Sequence, residues 1–357
     1  MSIKDVFGNE GGGPAPPSFP VYGVQTQPLD INKKYLMGIH SEVGNNEALI
    51  YNITDDVWEV ERYGVSGMFS VHQNKCKSML WQNRYFIQEE TNQGTGWIAV
   101  ADVNAAVAPV IPITGWELRL VDPNGGAFPY YTVTHFSDSR NEVLVFVRSA
   151  GTSIDVYSYP YAAFETKIQQ KLDGTFPGPD LPTTFVGNIT FNVTNNTYGS
   201  VIAEDTAGNI YYCGNSFYND SKHIHSVDLT TLTTTQIGSW TAPLWEDVMH
   251  YYNGELWLLR EDTDDHERFD IATGVTTVVV KPGHLSHPPG AYIPASIVDG
   301  VIYFGETQDA SAPLPPSSPY VAPPVVGYTL TTYDIATGVW DTTTFDNITL
   351  VSCGGSR

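Results

Sequence analysis

Asn253-Gly254-Glu255-Leu256-Trp257-Leu258, then Arg268-Phe269-Asp270-Ile271-Ala272-Thr273-Gly274, then Val275-Thr276-Thr277-Val278-Val279-Val280, is the clearest copy of a unit that returns six times along this chain. It reads as turn, strand, polar stretch, strand, Ala-Thr-Gly turn, strand: short runs of β-branched and aromatic residues bounded by residues that tolerate positive φ. A repeat made only of strands cannot bury its apolar faces alone and gains a core by stacking on its neighbours. Arranged radially, such units make a β-propeller. The sequence predicts an all-β fold, a six-bladed β-propeller of four-stranded antiparallel blades.

Two series of anchors support the repeat. The turns into second strands are Asn32-Lys33-Lys34, Asn83-Arg84, Asn141-Glu142, Gly208-Asn209, Asn253-Gly254 and Asp299-Gly300. The turns between third and fourth strands are Tyr51-Asn52-Ile53-Thr54, Ala101-Asp102-Val103-Asn104, Tyr157-Ser158-Tyr159-Pro160, Val227-Asp228-Leu229-Thr230, Phe269-Asp270-Ile271-Ala272 and Tyr333-Asp334-Ile335-Ala336. The series march in step until a Pro-rich insertion separates the last pair. Tyr333-Asp334-Ile335-Ala336-Thr337-Gly338-Val339-Trp340, and less closely Tyr51 through Trp58, resembles the outer hairpin of Kelch repeats, where an aromatic and an Asp precede a short turn and a Trp follows it. The Gly-Gly pair that ends a Kelch blade's second strand is absent. The resemblance covers the architecture of roughly residues 30–353 and implies no catalytic residue.

Blade boundaries are expected near 30–64, 65–116, 117–172, 198–240, 241–284 and 290–346, with helix scarce. The first blade begins with its second strand. The run Asn347 to Cys353 is expected to supply the missing one and close the ring, removing exposed sheet edges, with Val21 to Gln25 as the competing donor. Residues 1–28 are read as an extended N-terminal arm and 29–357 as the propeller. The arm opens Gly11-Gly12-Gly13-Pro14-Ala15-Pro16-Pro17 and carries Phe19, Tyr22 and Val24, apolar side chains suited to docking onto something else.

The net charge of −22 accompanies a charged fraction of only 16%, so the imbalance comes from scarce Lys and Arg. Phosphate neutralisation needs basic clusters, which argues against direct nucleic-acid binding. Anionic membrane surfaces are disfavoured for the same reason, and no segment reads as a membrane span or signal peptide. Synthesis in a cytoplasm follows as the expectation. Cys76, Cys213 and Cys353 are read as free thiols, Cys213 as a small buried hydrophobe. Sequons at Asn52, Asn188, Asn192, Asn195, Asn219 and Asn347 are read as compositional in a chain rich in Asn and Thr.

Alternating strand direction puts second-to-third loops on the same face as the connections between blades. The long segments, 89–96, 173–197, 214–221, 261–267 and 306–327, all belong to that face, which becomes the expected recognition surface. Its candidate binding residues are Phe176 and Phe185 in one Pro-rich insertion, Leu314 and Tyr320 in another, and Trp240 and Trp245 as a platform on which a sugar could stack. His223, His225 and His266 are candidates for a metal site or an acid–base pair. Asp262 and Asp264, in the run 261–267, carry oxygen ligands at alternate positions but lack the Gly and distal Glu of a helix-loop-helix calcium site, so a solvated loop is the simpler reading. No metal, no cofactor and no catalytic residue is assigned: no nucleophile elbow, phosphate-binding Gly loop or His-Glu-x-x-His helix occurs.

The low charge, the abundance of Thr, Asn, Gly and Tyr, and the unattached arm are together similar to structural proteins of tailed viruses. Short-tailed phages build a tail nozzle from subunits that contain a propeller. The resemblance implies a non-enzymatic virion subunit, synthesised in the host cytoplasm. It would assemble with other virion subunits in a symmetric array and could meet a glycan or protein of the host surface. The alternative is a carbohydrate-binding or polysaccharide-lyase-type propeller using the tryptophans and histidines.

Overall fold

The structure is a computed structural model that describes residues 33, 35–42, 45–55, 57–64, 77–81, 84–90, 96–102, 117–128, 132–150, 152–172, 174–175, 177–178, 180–191, 196–215, 222–244, 247–260, 265–280, 295–306, 328–345 and 354–355. The described strands form six sheets, five of four strands and one of five. The first contains Gly354–Gly355, Tyr35–Glu42, Asn45–Asn52 and Val57–Gly64. The second contains Lys77–Trp81, Arg84–Glu90, Gly96–Asp102 and Glu117–Val121, with Asp180–Pro182 added in parallel to the last. The third contains Thr132–Ser137, Glu142–Ala150, Ser153–Pro160 and Thr184–Thr190. The fourth runs Asn196–Glu204, Ile210–Asn215, His223–Asp228, Thr233–Ser239. The fifth runs Val248–Tyr252, Glu255–Leu259, His266–Asp270, Val275–Val279. The sixth runs Ala295–Val298, Val301–Glu306, Tyr328–Asp334, Val339–Phe345.

The anchor residues act as their chemistry suggests. Asn141, Asn253 and Asp299 have φ of 53°, 49° and 52°, and Gly254 follows Asn253 at 87°, the pairing that a tight hairpin matching strand twist requires. In the outer turns Asp228 accepts hydrogen bonds from the Thr230 and Thr231 amides, Asp270 from Ala272 and Thr273, and Asp334 from Thr337. Bonds donated by Thr231, Thr273 and Thr337 hold the three carboxyls below their ordinary range. Asn52 takes the same place in the first sheet: it is fully buried, accepts from the Asp55 amide at 3.0 Å and donates to the Asp55 carboxylate at 2.9 Å. That sequon asparagine is part of the turn.

The third blade departs from the expected plan. Tyr157 to Pro160 ends a strand but does not turn back. A helix, α1, Tyr161–Leu172, follows, with Tyr161 and Phe164 buried and the Phe164 ring 5.0 Å from Tyr159. Ala162, Ala163, Glu165 and Lys167 favour a helix, and Tyr161 and Phe164, three residues apart, share one side of it. The fourth strand is instead Thr184–Thr190, and Glu117–Val121 closes the second sheet. The boundary therefore falls after residue 190, not after 172, and the segment expected as a long loop over 173–197 contains two strands. Asp180–Pro182 tolerates its proline because it lies at a sheet edge.

The chain divides into two compact units, one holding the first and sixth sheets and the other the third, fourth and fifth. Within the second, the fourth sheet is buried on both faces. Ile202, Ile210 and Tyr212 join Leu144, Phe146, Val156 and Ile189 of the third sheet in one core. Val201, Ala203, Tyr211 and Cys213 join Met249, Leu256, Leu258 and Phe269 of the fifth in another. Two-sided burial explains why Ile210-Tyr211-Tyr212-Cys213 is continuously apolar, not alternating. In the first unit, Gly354–Gly355 pairs with Met37 and Leu36. The C-terminal end therefore borders the first strand, while 346–353 and the competing donor, 21–25, lie outside the described residues.

Candidate functional site

The outer half of the third sheet carries an aromatic series that ends in solvent. Phe128 is buried, its ring 5.0 Å from Tyr157, which is in turn 5.3 Å from Phe185 on the neighbouring strand. Tyr157 and Phe185 are cross-strand partners, brought level by an irregularity in register beside Val156. Phe185 is 51% exposed. Beside them Asn188 donates to Asp155 at 2.7 Å and to the Ser149 hydroxyl at 3.1 Å. Partial burial, reinforced by Asp155 and Asp122, raises the Tyr157 phenol above its ordinary pKa, so it is a neutral, polar-tipped ring at physiological pH. Flat aromatic area bordered by an amide and a carboxylate can recognise another surface. It offers no nucleophile paired with a base.

The charged residues near the connection between the fourth and fifth sheets serve a different end. Arg260 is buried at the end of its strand. Its guanidinium donates to the Pro243 carbonyl at 2.6 Å, the Ala242 carbonyl at 2.9 Å, Asp247 at 3.1 Å and Glu267 at 2.5 Å. The other Glu267 oxygen accepts from the Thr241 amide at 2.6 Å, and His266 Nδ1 accepts from the Arg260 amide at 2.9 Å. One planar cation thus pins Ala242, Pro243 and Asp247 to the strands on either side, the multidentate geometry at which Arg excels. On the third and fourth sheets, Glu204 meets His135 Nε2 at 3.1 Å and accepts from both the Ser139 amide and its hydroxyl. Burial pushes the Glu204 carboxyl upward, but the bonds from His135 and Ser139 bring it below its usual range.

These positions correct several expectations. Trp240 is not a stacking platform: it is 1% exposed, packed edge-on against Phe269 at 6.3 Å. His266 is not in a loop but opens a buried strand, and Glu267, expected in a solvated acidic run, is a buried partner of Arg260. His223 and His225 lie on the same strand two residues apart, as expected. His223 bonds Ser239 and Gln236, whereas His225 is buried against the Phe191 ring at 5.1 Å, so they do not share a ligand with His266. Among the described residues no group of His, Cys, Asp or Glu is arranged to hold a metal ion. Cys213 is a buried free thiol whose ionisation burial opposes. Phe185 is the candidate that the fold presents to solvent. Trp245, Phe176, Leu314, Tyr320, Asp262 and Asp264, with the arm residues Phe19, Tyr22 and Val24, lie outside the described residues.

His225 gives a pH prediction. Burial, followed by the proximity of His223, lowers its pKa from an ordinary value near 6.5 to about 4. The folded state therefore binds fewer protons than the unfolded chain between those values, and stability present above pH 6.5 is lost as pH falls towards 4. The loss should be on the order of 2 kcal/mol. Urea midpoints of the parent and His225→Gln chains, taken from pH 7 to 4.5, should diverge because the variant loses this slope. Parallel curves would remove His225 as the cause.

No protein-family model matches the chain, and no curated protein matches its sequence. Among solved structures it is similar to one titled "Crystal structure of Nidogen/Laminin Complex", at 10% identity over 90% of this chain and 98% of that chain, with a TM-score of 0.52. The part that corresponds is the nidogen β-propeller. At that identity the likeness concerns architecture, and it agrees with the sheets described above: this chain is an all-β protein whose four-stranded antiparallel sheets resemble propeller blades.

Proposed function

We propose that the chain is a non-enzymatic structural subunit of a virion, a six-bladed ring closed through its C-terminal end, which docks through residues 1–28 and presents outer-strand surfaces to neighbouring subunits or to a host surface. One observation supports this reading above others. The buried Arg260 with Asp247 and Glu267, and the part-buried Glu204 with His135, are spent on tying strands and connections together. Beside exposed charges such as Asp341, the outer strands present large apolar side chains to solvent: Phe185, Val275, Val278 and Val339. A scaffold that spends its buried ionisable groups on internal ties and leaves apolar side chains outside is built for contact more than for chemistry. The scarcity of Lys and Arg supports assembly with protein over packaging of nucleic acid. Deleting residues 1–28 should abolish incorporation into particles while leaving the unfolding midpoint unchanged. Particles that incorporate the truncated chain at the parental level would refute the docking role.

A further inference from the structure

A sheet edge left bare is a template for another strand, and proteins ordinarily blunt such edges with charges, irregularities or a cover. Five of the six outer strands here are blunted in one of these ways. Val57–Gly64 is irregular in register and carries Glu59, Glu61 and Arg62. Glu117–Val121 is covered by Asp180–Pro182. Thr184–Thr190 and Thr233–Ser239 each belong to a pairing with a register shift. Val339–Phe345 is regular but carries Asp341. Among the described residues the sixth, Val275–Val279, has none of these: its pairing with His266–Asp270 is unbroken, and Val-Thr-Thr-Val-Val holds no charge and no proline. Val275 and Val278, with the following Val280, are 56%, 46% and 69% exposed.

This fold already accepts an added strand at an outer edge. Asp180–Pro182 lies in parallel on Glu117–Val121, held by the ladder, by the Thr183 amide and hydroxyl bonding the Val121 carbonyl at 3.0 and 2.8 Å, and by Asp180 with Arg119 at 2.7 Å. A partner for Val275–Val279 needs no such ion pair. It should be extended, uncharged, β-branched or aromatic, and free of proline over about five residues, with its ladder supplying affinity. The chain contains such a segment outside the described residues. Val21-Tyr22-Gly23-Val24-Gln25 reads as a strand, and at the edge of Tyr35–Glu42, for which it competed, Gly354–Gly355 pairs with Leu36 and Met37. Between residues 11 and 29 the sequence has no charged side chain. From Gln25 to Tyr35 is ten residues, which at ~3.3 Å each gives a reach of about 33 Å, enough to leave one subunit and meet another.

We propose that Val21–Gln25 of one copy adds as a fifth strand to Val275–Val279 of a second copy, so that each arm docks on the fifth sheet of its neighbour. The proposal rests on the reading that the arm joins subunits and names where it lands. The test uses full-length chains carrying single cysteines: Val24→Cys mixed with Val278→Cys, treated with a short bis-maleimide and compared with unmodified chain for background from Cys76, Cys213 and Cys353. The expected product is a crosslinked dimer formed in the mixture and insensitive to salt. It should disappear when Val275→Lys is added to the Val278→Cys chain. Crosslinking of Val278→Cys to itself at equal yield would overturn the proposal in favour of edge-to-edge pairing of two copies. Equal capture of Val24→Cys by Val339→Cys would overturn it in favour of a different landing site, leaving arm-mediated assembly intact. No crosslink to either edge, with normal incorporation of the chain lacking residues 1–28, would remove both.

Discussion

Replacing Arg260 with methionine should destabilise the folded chain by about 3–5 kcal/mol, the cost of leaving buried carboxylates without their cation. The side chains of Arg260, Asp247 and Glu267 are 0%, 0% and 2% exposed, so water cannot take over the lost hydrogen bonds without opening the core around Leu244 and Leu258. The Pro243 and Ala242 carbonyls lose their donor in the same step, which leaves the connection between the fourth and fifth sheets held chiefly by packing. Arg260→Lys should recover little of the loss, because a single ammonium on a flexible stem cannot reach four acceptors that a planar fork meets together. The triple variant Asp247→Leu, Arg260→Met, Glu267→Met should be more stable than Arg260→Met alone, since an apolar replacement removes the charges whose burial is unfavourable. Urea midpoints of the three variants measure this directly. A loss under about 1 kcal/mol for Arg260→Met would mean that the network opens to solvent and is not the clamp described here.

What the sequence made legible is local, and what it hid is tertiary. Asn141, Asn253 and Asp299 announce their turns because few other residues accept positive φ, and the Asp at 228, 270 and 334 announces a turn because its carboxylate caps the amides that follow. These signals belong to four or five consecutive residues and survive without knowledge of the fold. The third blade failed because the expected turn at Tyr157 to Pro160 has the right residue types but is followed by a helix-forming segment, and the fourth strand lies beyond it. The spacing of Tyr161, Phe164 and Ile168 was the available signal. Trp240 and Glu267 were misplaced for a common reason. A tryptophan after a strand and a glutamate at the end of an acidic run look exposed by composition, and only the partner, Phe269 in one case and Arg260 in the other, makes them interior. Of the candidate surface, Phe185 was legible as an aromatic in a Pro-rich insertion. Its pairing with Tyr157 was not, because it depends on a register irregularity set by the strand opposite.

Gly238→Ala should cost about 2–3 kcal/mol, the upper part of the range for overpacking a core, although the substitution adds one methyl and needs no unusual backbone angle. Gly238 lies on the outer strand of the fourth sheet. A Cβ there would stand 2.2 Å from Phe269 Cε2 and 2.6 Å from Cζ. The ring cannot step aside cheaply: Phe269 is fully buried, packs edge-on with Trp240 and belongs to the same core as Leu256 and Leu258. Close approach of one blade to the next is what fixes the spacing of stacked sheets, and interiors packed at crystal-like density transmit such a clash instead of absorbing it. Gly187 provides the internal comparison. A Cβ on Gly187 would meet Leu232 Cδ1 at 2.3 Å, just as close, but Leu232 is only partly buried and the clash falls on the far end of a flexible side chain. Gly187→Ala should therefore cost less than half as much as Gly238→Ala in parallel thermal and urea unfolding. If the two variants lose the same stability, the rigidity of the Phe269 ring is not what sets the spacing between the fourth and fifth sheets. If Gly238→Ala is neutral, the sheets slide past one another more freely than a close-packed blade interface allows.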